Sequence, residues 1–543
     1  METVADWIVE FLEKQRIEFV FGHPGGPVLP IYEALRKNSN VKHVLVRHEG
    51  AGSFMAEAYA KLTGKVGVCI STMGPGAANM TIGVATAMSD STPVMAITGQ
   101  LPLSVQGRGY QQETDHLSLF RGITKKTFQL KEGQNAFRVF TDAYRTAISG
   151  RPGPVHVDIP SDISSFNGDY PEPEVVPKVS FGAAHPDLLK GAASMISESE
   201  RPLIVAGGGV ISSDASSLLA EFSKKFGIPV ATSYNGRGAI PEDDDLCIGR
   251  IGEYVPAFRL RLAESADLLI ALGFRFTDVS MEGWKKANDS KVIQVDIDPS
   301  EIGRNVHVDL GLVGDVRKTI SELSKLLLAE PGKRREWLSK IKEDREGWLK
   351  TYASVRDSSA QPIRPQRLIK ELSEFTGRDS IITSGAGRAK MWAASVLPVY
   401  KPRSWIHSGG YAVMGYELPA AIACKMVHPQ KRVVSVGGDA SFQMHCQELA
   451  TAVENHANIV SVVINDLSLG SIRNSQVRRY GNVFGTEFNL DVDLSKVAEA
   501  FGAKGIRVRR AEDIKPSLEE AFRTDKPVVL DVVVDPSETP TFQ

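Results

Sequence analysis

Short, continuous apolar runs rich in valine and isoleucine recur along this chain, and they constrain its fold more than any other feature. The clearest runs lie at residues 155–159, 203–206, 268–272, 292–297, 433–436, 459–464 and 528–534. Runs of this length that do not alternate with polar residues indicate strands buried on both faces of a parallel sheet. Helical segments separate the runs, so the sequence predicts an α/β fold.

Two stretches interrupt this rhythm in a chain of 543 residues, which is more than one hydrophobic core usually supports. Residues 166–186 and 346–365 are polar, contain proline and show no periodicity, as linkers between domains do. We therefore expect three doubly wound parallel-sheet domains, at residues 1–165, 187–345 and 366–543.

The charge balance argues against two classes of partner. Lysine and arginine number 63 against 65 aspartate and glutamate residues, which leaves no basic excess for nucleic acid or an anionic membrane. No apolar stretch approaches the roughly 20 residues that cross a bilayer. Residues 1–20 show the pattern of an amphipathic helix, which is unlike a signal peptide. We expect a cytoplasmic protein, unless an organelle transit peptide has been removed. A disulfide framework or zinc site is not indicated, because the cysteines lie far apart: Cys69, Cys247, Cys424 and Cys446.

Two aspartates follow strand-like runs in the last third of the chain. Asp439 comes after the run at 433–436, within Gly438-Asp439-Ala440, and Asp466 follows the run at 459–464. Oxygen ligands at the carboxyl ends of two strands suit one Mg²⁺ ion, which usually shares its coordination sphere between one or two carboxylates, water and a ligand's phosphates. The sequence therefore predicts Mg²⁺ and a diphosphate cofactor.

This Gly-Asp to Asn-Asp spacing resembles the Mg-diphosphate motif of thiamine diphosphate enzymes, with Ala440 and Asp466 in place of the usual glycine and asparagine. The rest of the chain is similar, motif by motif, to the acetolactate (acetohydroxyacid) synthase family. The similarity covers essentially the whole chain and runs through Phe21-Gly22-His23-Pro24-Gly25-Gly26, Arg47-His48-Glu49-Gly50-Ala51, Ser71-Thr72-Met73-Gly74-Pro75-Gly76, Ile97-Thr98-Gly99-Gln100, Gln112-Glu113-Thr114-Asp115, Arg151-Pro152-Gly153-Pro154, Met391-Trp392, Ser408-Gly409-Gly410 and Met414-Gly415.

The resemblance implies a pyrimidine-binding first domain, a central domain and a diphosphate-binding third domain. Thiamine diphosphate would lie between the first domain of one subunit and the third domain of its partner, in a homodimer or homotetramer. Glu49 would activate the cofactor by sharing a proton with N1′ of its pyrimidine. Gln112 would lie near the thiazolium and Lys125 near the substrate channel. Met414 would wedge under the cofactor, and the carbonyl of Ala412 would accept from its amino group.

The resemblance also implies the metal and phosphate contacts. Replacing asparagine by Asp466 adds a negative charge beside a diphosphate, which is unfavourable unless another group compensates it. Two compensating features are predicted: a helix from about residue 441 to 455 whose N-terminus faces the phosphates, and Arg388, for which we hypothesise a phosphate contact. The Mg²⁺ ligands would be Asp439, Asp466 and the carbonyl of Ser468, and further cofactor contacts would be Gly25, Gly438, Ala440 and Ser441.

FAD is a second cofactor that the sequence leaves open. Three segments resemble those that hold FAD in the synthases, and glycines at a strand-to-helix turn can accept a pyrophosphate. Non-flavin relatives keep similar glycines for folding alone, and Arg250-Ile251-Gly252-Glu253-Tyr254 lacks the methionine and histidine expected beside a flavin. The three segments are Ala206-Gly207-Gly208-Gly209, Gly273-Phe274-Arg275-Phe276-Thr277-Asp278 and Asp296-Ile297-Asp298-Pro299-Ser300-Glu301-Ile302-Gly303.

The activity implied by the resemblance is decarboxylation of pyruvate or a similar 2-oxo acid with carboligation to a second 2-oxo acid. In the segment that follows Leu469, however, this chain has Ser475. The synthases that it resembles have a tryptophan at this place, which contacts the acceptor. Loss of a large aromatic wall removes shape selection worth on the order of 1–3 kcal/mol. The alternatives are therefore a non-oxidative 2-oxo acid decarboxylase, a pyruvate oxidase or an acyl-CoA lyase. A catalytically silent regulatory or scaffold protein is disfavoured, because Glu49 and Asp439 are both present.

Overall fold

Three six-stranded parallel sheets organise the protein. The structure is a computed structural model that describes residues 2–38, 40–286, 289–330 and 332–540. The strands of each sheet fall within one of the three residue ranges expected from the sequence, and the seven apolar runs all become strands with ends shifted by at most two residues. Three parallel-sheet α/β units are thus confirmed.

The first unit builds its sheet from six strands in the spatial order β3-β2-β4-β5-β7-β6, and two very short strands, β1 and β8, pair antiparallel beside it. Its strands are β1 (Glu2–Thr3), β2 (Phe19–Gly22), β3 (Lys42–Leu45), β4 (Gly67–Ser71), β5 (Val94–Gln100), β6 (Lys126–Gln129), β7 (Val155–Pro160) and β8 (Asn167–Gly168). Its helices are α1 (Val4–Lys14), α2 (Leu29–Lys37), α3 (Glu49–Thr63), α4 (Pro75–Asp90), α5 (His116–Arg121), α6 (Ala136–Ile148) and α7 (Ser161–Ser164).

The second unit has the order β11-β10-β9-β12-β13-β14, in which the chain starts in the middle of the sheet and reverses direction once. Its strands are β9 (Pro202–Ala206), β10 (Val230–Thr232), β11 (Cys247–Arg250), β12 (Leu268–Leu272), β13 (Lys291–Asp296) and β14 (Leu310–Val313). Its helices are α8 (Pro186–Glu198), α9 (Gly208–Ser212), α10 (Ser216–Phe226), α11 (Ala257–Ser265), α12 (Asp278–Met281), α13 (Val316–Leu326) and α14 (Arg335–Arg356).

The third unit has the order β16-β15-β17-β18-β20-β19, which repeats the connectivity of the first unit strand for strand. Its strands are β15 (Ile381–Ser384), β16 (Trp405–His407), β17 (Val433–Gly438), β18 (Val460–Asn465), β19 (Lys504–Val508) and β20 (Val528–Val533). Its helices are α15 (Pro365–Phe375), α16 (Arg388–Val396), α17 (Glu417–Val427), α18 (Asp439–His445), α19 (Glu448–Glu454), α20 (Gly470–Tyr480), α21 (Leu494–Ala500) and α22 (Ile514–Arg523).

One predicted linker is wrong at its start. Helix α14 continues to Arg356, so residues 346–356 are helical and only the part after it lacks a helix before Pro365. The helix persists because apolar side chains on one side of it pack inward: Trp337 and Ile341 are buried in the second unit, and Tyr352 is buried in the core of the third. The polar residues of this stretch belong to the opposite, exposed face of the helix.

The first and third units share one hydrophobic core. Helix α3 packs on α17, and the rings of Phe54 and Tyr416 meet edge to face with centroids 5.3 Å apart. A buried ion pair adds to this joint: Lys61 Nζ lies 2.6 Å from Asp90 Oδ2 and also donates to the carbonyl of His407. Among the described residues, no helix is both long and apolar enough to cross a bilayer.

Candidate active site

The two predicted metal ligands meet at one edge of the third sheet. Asp439 follows β17 and Asp466 follows β18, and these strands are hydrogen-bonded neighbours. Both side chains are buried. Burial, and then the negative charge of Asp466, raise the pKa of Asp439 to about 7. Asp439 Oδ2 is fully enclosed and accepts no hydrogen bond from the described residues. An enclosed carboxylate oxygen beside a second carboxylate fits a divalent cation, which would offset the repulsion.

The turn after Asp466 is held in a strained conformation. Leu467 has φ +51°, in the left-handed region that non-glycine residues occupy at a cost of about 1–3 kcal/mol. The backbone N–H and the hydroxyl of Ser468 donate to Asp466 Oδ1 at 3.1 and 2.8 Å. This turn therefore keeps Ser468 beside the carboxylate. No group of three or more His, Cys, Asp or Glu side chains among the described residues could hold a metal, so backbone and cofactor oxygens would complete the coordination.

Arg388 compensates the extra charge of Asp466 by direct contact. Its Nε and Nη2 donate to Asp466 Oδ2 at 3.0 and 2.5 Å, and both side chains are buried. Its Nη1 donates to the carbonyls of Pro536 and Glu538, each at 2.9 Å. A Cβ atom at Gly470 would lie 2.1 Å from Arg388 Nε, so glycine at this position makes room for the guanidinium. The phosphate contact of Arg388 stays a prediction.

The segment that should support the cofactor lines the same cleft as the turn after Asp466. Ala412 has φ +53° and ψ +50°, and Met414 is half-buried two residues later. Gly415 donates its N–H to Ser441 Oγ at 2.7 Å, and Ser441 Oγ donates to Glu417 Oε2 at 2.9 Å. One cleft of about 2090 Å³ is lined by the predicted residues of the third unit: Arg388, Ala412, Met414, Gly438, Asp439, Ala440, Ser441, Asp466 and Ser468.

The helix predicted from about residue 441 to 455 is two short helices, which corrects the sequence analysis. Helix α18 begins at Asp439 and ends at His445, and α19 begins at Glu448. Between them, Leu449 N donates to the Cys446 carbonyl and Ala450 N to the Gln447 carbonyl, at 3.1 Å each. These bonds span three residues instead of the four of an α-helix, so a tighter turn separates α18 from α19.

The predicted residues of the first unit form a separate group. Glu49 begins α3 and accepts a hydrogen bond from Asn79 Nδ2 at 2.9 Å. Gln112 is exposed and has φ +64°. Gly25 packs on Thr72, whose Cβ would lie 2.5 Å from a Cβ at position 25. None of Glu49, Gln112 and Gly25 lines the cleft that contains Asp439. One chain thus carries two groups of predicted cofactor residues at different places.

Two further predicted residues have roles within the chain. Lys125 Nζ donates to the carbonyls of Thr146 and Ser149, at 2.6 and 2.7 Å, and so caps the end of α6. Ser475 lies on α20, one turn beyond the cleft-lining residues Gly470, Ser471 and Ile472 of the same helix, and its hydroxyl donates to the carbonyl of Ser471.

The glycines of the proposed FAD segments have a packing role. A Cβ at Gly207 would lie 1.9 Å from the carbonyl oxygen of Gly273, and a Cβ at Gly209 would lie 2.6 Å from the Gly273 Cα. Two backbone turns of the second unit thus touch where side chains would not fit. Close packing alone accounts for these glycines, so they do not by themselves indicate a bound pyrophosphate.

The sequence analysis missed two buried titratable residues near the site. Glu417 is 1% exposed, and burial raises its pKa to about 7 although Ser441 donates to it. Both Gly385 and Gly437 pack so closely on it that a Cβ at either would lie 2.2 Å from a carboxylate oxygen. The sequence feature that could have indicated Glu417 is its position as a single charged residue directly before the apolar stretch that begins at Leu418. The other residue is Lys390, and no feature of the sequence around it indicated that it is buried.

Comparison with known protein families agrees with this geometry. Three family models match the chain, described as the N-terminal TPP binding domain, the central domain and the C-terminal TPP binding domain of thiamine pyrophosphate enzymes. They match residues 2–119, 189–323 and 385–532, one in each of the three units. Fold and site together define a thiamine pyrophosphate enzyme.

Individual relatives narrow this class. A probable acetolactate synthase large subunit of Methanocaldococcus jannaschii is 39% identical over 550 residues, covering 98% of this chain and 92% of the relative. A probable acetolactate synthase large subunit of Methanococcus aeolicus is 37% identical, with 98% and 92% covered. An acetolactate synthase of Mycobacterium bovis is 37% identical, with 98% and 88% covered. The chain belongs to the acetolactate synthase large-subunit family of thiamine pyrophosphate enzymes, which confirms the resemblance seen in the sequence.

Proposed function

We propose that this protein uses thiamine diphosphate and Mg²⁺ to decarboxylate pyruvate or a similar 2-oxo acid and to join the resulting two-carbon unit to a second 2-oxo acid. The observation that carries the proposal is the pair Asp439 and Asp466 at adjacent strand ends, with an enclosed carboxylate oxygen that accepts no hydrogen bond from the described residues. The names of the relatives support the same chemistry.

Each residue has a defined task in this proposal. Asp439, Asp466 and the carbonyl of Ser468 hold the metal ion that binds the diphosphate, and Arg388 fixes Asp466. Glu49 holds a proton at N1′ of the pyrimidine, and Met414 and Ala412 set the bend of the cofactor. When bound, thiamine diphosphate supplies the electron sink for the carbanion that loss of CO₂ leaves.

The active unit in this proposal is at least a homodimer. Glu49 and Gln112 do not line the cleft that contains Asp439 and Met414. A second copy of the chain would therefore supply Glu49 and Gln112 to the site that Asp439 and Met414 form. Binding of FAD in the cleft beside the second unit is a separate hypothesis, which the visible absorption spectrum of the purified protein tests.

Product analysis tests the proposed reaction. With pyruvate alone we expect the branched 2-hydroxy-2-methyl-3-oxo acid, and with added 2-oxobutyrate we expect its one-carbon-longer homologue, both identified by mass spectrometry. Release of acetaldehyde without either acid would instead show the second candidate function, a non-oxidative decarboxylase. Ser475 favours this second candidate, because it stands where the synthases carry the tryptophan of the acceptor pocket.

A further inference from the structure

A buried lysine lines the cleft without an ion pair or hydrogen bond to any described residue. Lys390 lies on α16, is only 5% exposed and lines the same cleft as Asp439 and Met414. Its Nζ forms no ion pair or hydrogen bond with the residues that the structure describes, and it lies 4.7 Å from the ring centroid of Tyr234. An ammonium group that makes neither an ion pair nor a hydrogen bond is rare at this degree of burial, because removing it from water is costly.

Further cationic and N–H groups surround the same tyrosine ring. Arg250 Cζ lies 4.0 Å from the centroid of the Tyr234 ring, and the Nε and Nη1 of this arginine are enclosed without an acceptor. His407 is 5.6 Å from Tyr234, ring centre to ring centre. Its Nδ1 accepts from Gly409 N at 3.0 Å, so the proton of the neutral imidazole sits on Nε2, which also finds no acceptor among the described residues. The cluster has more donors than acceptors.

The charges of this cluster leave one positive charge uncompensated, and Lys61 and Asp90, which also act on Lys390, pair with each other. Arg237 forms a two-pronged ion pair with Glu242, at 2.7 and 2.8 Å, and so contributes no net charge. Glu253, whose Oε1 lies 3.2 Å from the Tyr234 hydroxyl, balances only one of Lys390 and Arg250. Burial lowers the pKa of Lys390 to about 8, against the opposing effect of Glu253, so the ammonium is still charged at neutral pH.

We propose that Lys390 and His407, which both line the cleft, form a subsite for the carboxylate group of a ligand, with the enclosed Arg250 behind them on the ring of Tyr234. A group with a single negative charge matches the one unbalanced positive charge, whereas a phosphate dianion would leave an excess negative charge. The identity of the ligand rests on the proposed function, since both 2-oxo acids carry one carboxylate. The existence of the subsite does not.

Calorimetric titration of the full-length protein with oxamate tests the subsite in the presence of thiamine diphosphate and Mg²⁺. Oxamate has the shape and carboxylate of pyruvate but does not lose CO₂, and oxamide is its neutral counterpart. We expect oxamate to bind, oxamide not to bind at the same concentration, and Lys390→Met to weaken oxamate binding by about tenfold or more. Lys390→Arg should keep most of the affinity, because it keeps the charge.

Matched variants separate binding from folding. Lys190→Met removes an exposed lysine of α8 and should leave oxamate binding unchanged. Without oxamate, Lys390→Met should unfold at a temperature equal to or above that of the parent, because it removes a buried unpaired charge. If Lys390→Met does not fold, Lys390→Gln is the second neutral variant.

Three results would overturn the subsite: parent affinity for oxamate in the folded neutral variant, equal binding of oxamide, or displacement of oxamate by inorganic phosphate at lower concentration than by a carboxylate. A protein that ligates pyruvate while its neutral Lys390 variant binds oxamate normally would refute the subsite and leave the proposed function intact.

Discussion

Glu49 is placed by the start of a capped helix. It is the first residue of α3, and His48 caps this helix by accepting from Gly50 N at 3.0 Å. Glu49→Gln keeps the size and the acceptor oxygen of the side chain but cannot share a proton with N1′. We therefore predict that this variant binds thiamine diphosphate normally while deuterium exchange at C2 of the bound cofactor slows by orders of magnitude.

The control for this prediction is Glu33→Gln, which changes an exposed glutamate on α2 that pairs with Arg36. It should exchange at the parent rate. Fast exchange in Glu49→Gln would remove Glu49 from the activating role.

Arg388 and Asp466 should depend on each other in stability and in cofactor binding. Breaking one partner of a buried ion pair typically costs about 3–5 kcal/mol, because the other charge is left uncompensated. Arg388→Ala should therefore lower the free energy of unfolding and weaken binding of Mg²⁺-thiamine diphosphate. Adding Asp466→Asn should recover part of both losses, with a coupling of roughly 0.5–3 kcal/mol. Urea unfolding and titration calorimetry on the two single variants and the double variant measure this coupling, and strictly additive effects would contradict it.

Oxamate affinity should decrease as pH rises through about 8, the pKa to which burial lowers Lys390. The sign follows from charge: the protonated lysine attracts the carboxylate and the neutral amine does not, so the loss lies on the alkaline side. Calorimetry across this range measures it, and the Lys390→Arg variant should show no such loss. Constant affinity in the parent would contradict the assignment. The other charged or titratable groups that act on Lys390 are Glu253, Arg250, Asp90, Lys61, His407 and Tyr234.

Single residues were predictable from sequence where a strand end positions them. Asp439 and Asp466 each follow an apolar run, so the order of the strands alone brings them together. For Arg388, the sequence indicated only that a positive charge is needed near Asp466. It did not indicate that the two side chains form an ion pair. Lys390 could not be found, because its burial depends on neighbours far away in the chain, such as Tyr234. Glu417 was marked only by its place directly before an apolar stretch.

Among the elements, strands were easier to predict than helix ends. A strand buried on both faces consists of apolar residues whatever its neighbours, so its composition marks its limits. The limits of α14, α18 and α19 instead depend on packing that a polar or mixed sequence does not reveal. This is why the linker expected from residue 346 begins as a helix, and why the helix expected at 441–455 is interrupted at Cys446 and Gln447.

Helix α14 offers a stability test at the level of one element. Gly347 lies within it, and a Cβ there would meet no atom within 4 Å. Glycine inside a helix costs roughly 0.5–1 kcal/mol relative to alanine. Gly347→Ala should therefore raise the free energy of unfolding by about this amount in urea titration.

Gly481 provides the contrasting variant, because it also has open space around its Cα but has φ +70° at the end of α20. Gly481→Ala should destabilise the protein, since alanine adopts this conformation at a cost. Equal effects of the two substitutions would mean that backbone conformation does not govern them.

At the scale of the whole molecule, the first and third sheets have the same strand order. The packing of α3 on α17 was not predictable, because the sequence of an apolar helix does not indicate which other helix it contacts. Only the assembled fold shows that Glu49 lies apart from the cleft that contains Asp439.

Two inactive variants should restore activity when they share a dimer. In a mixed dimer of Glu49→Gln and Asp439→Asn chains, one of the two proposed sites keeps both essential residues and the other loses both. Co-expression with two different affinity tags should therefore give about a quarter of the parent activity in the unseparated mixture. Each variant expressed alone should be inactive. Failure of the purified mixed dimer to turn over pyruvate would show that Glu49 and Asp439 act within one chain.

The shared core of the first and third units bears on which parts of this protein can be exchanged between relatives. Phe54 and Tyr59 of one unit and Tyr416 and Phe442 of the other belong to a single hydrophobic cluster, whereas the two clusters of the second unit contain only its own residues. Cut out alone, either outer unit would expose half of that cluster to water. The outer two units must therefore be inherited, or replaced, together, and an exchanged central unit must keep Tyr234 and Tyr352, because both belong to the core of the third unit.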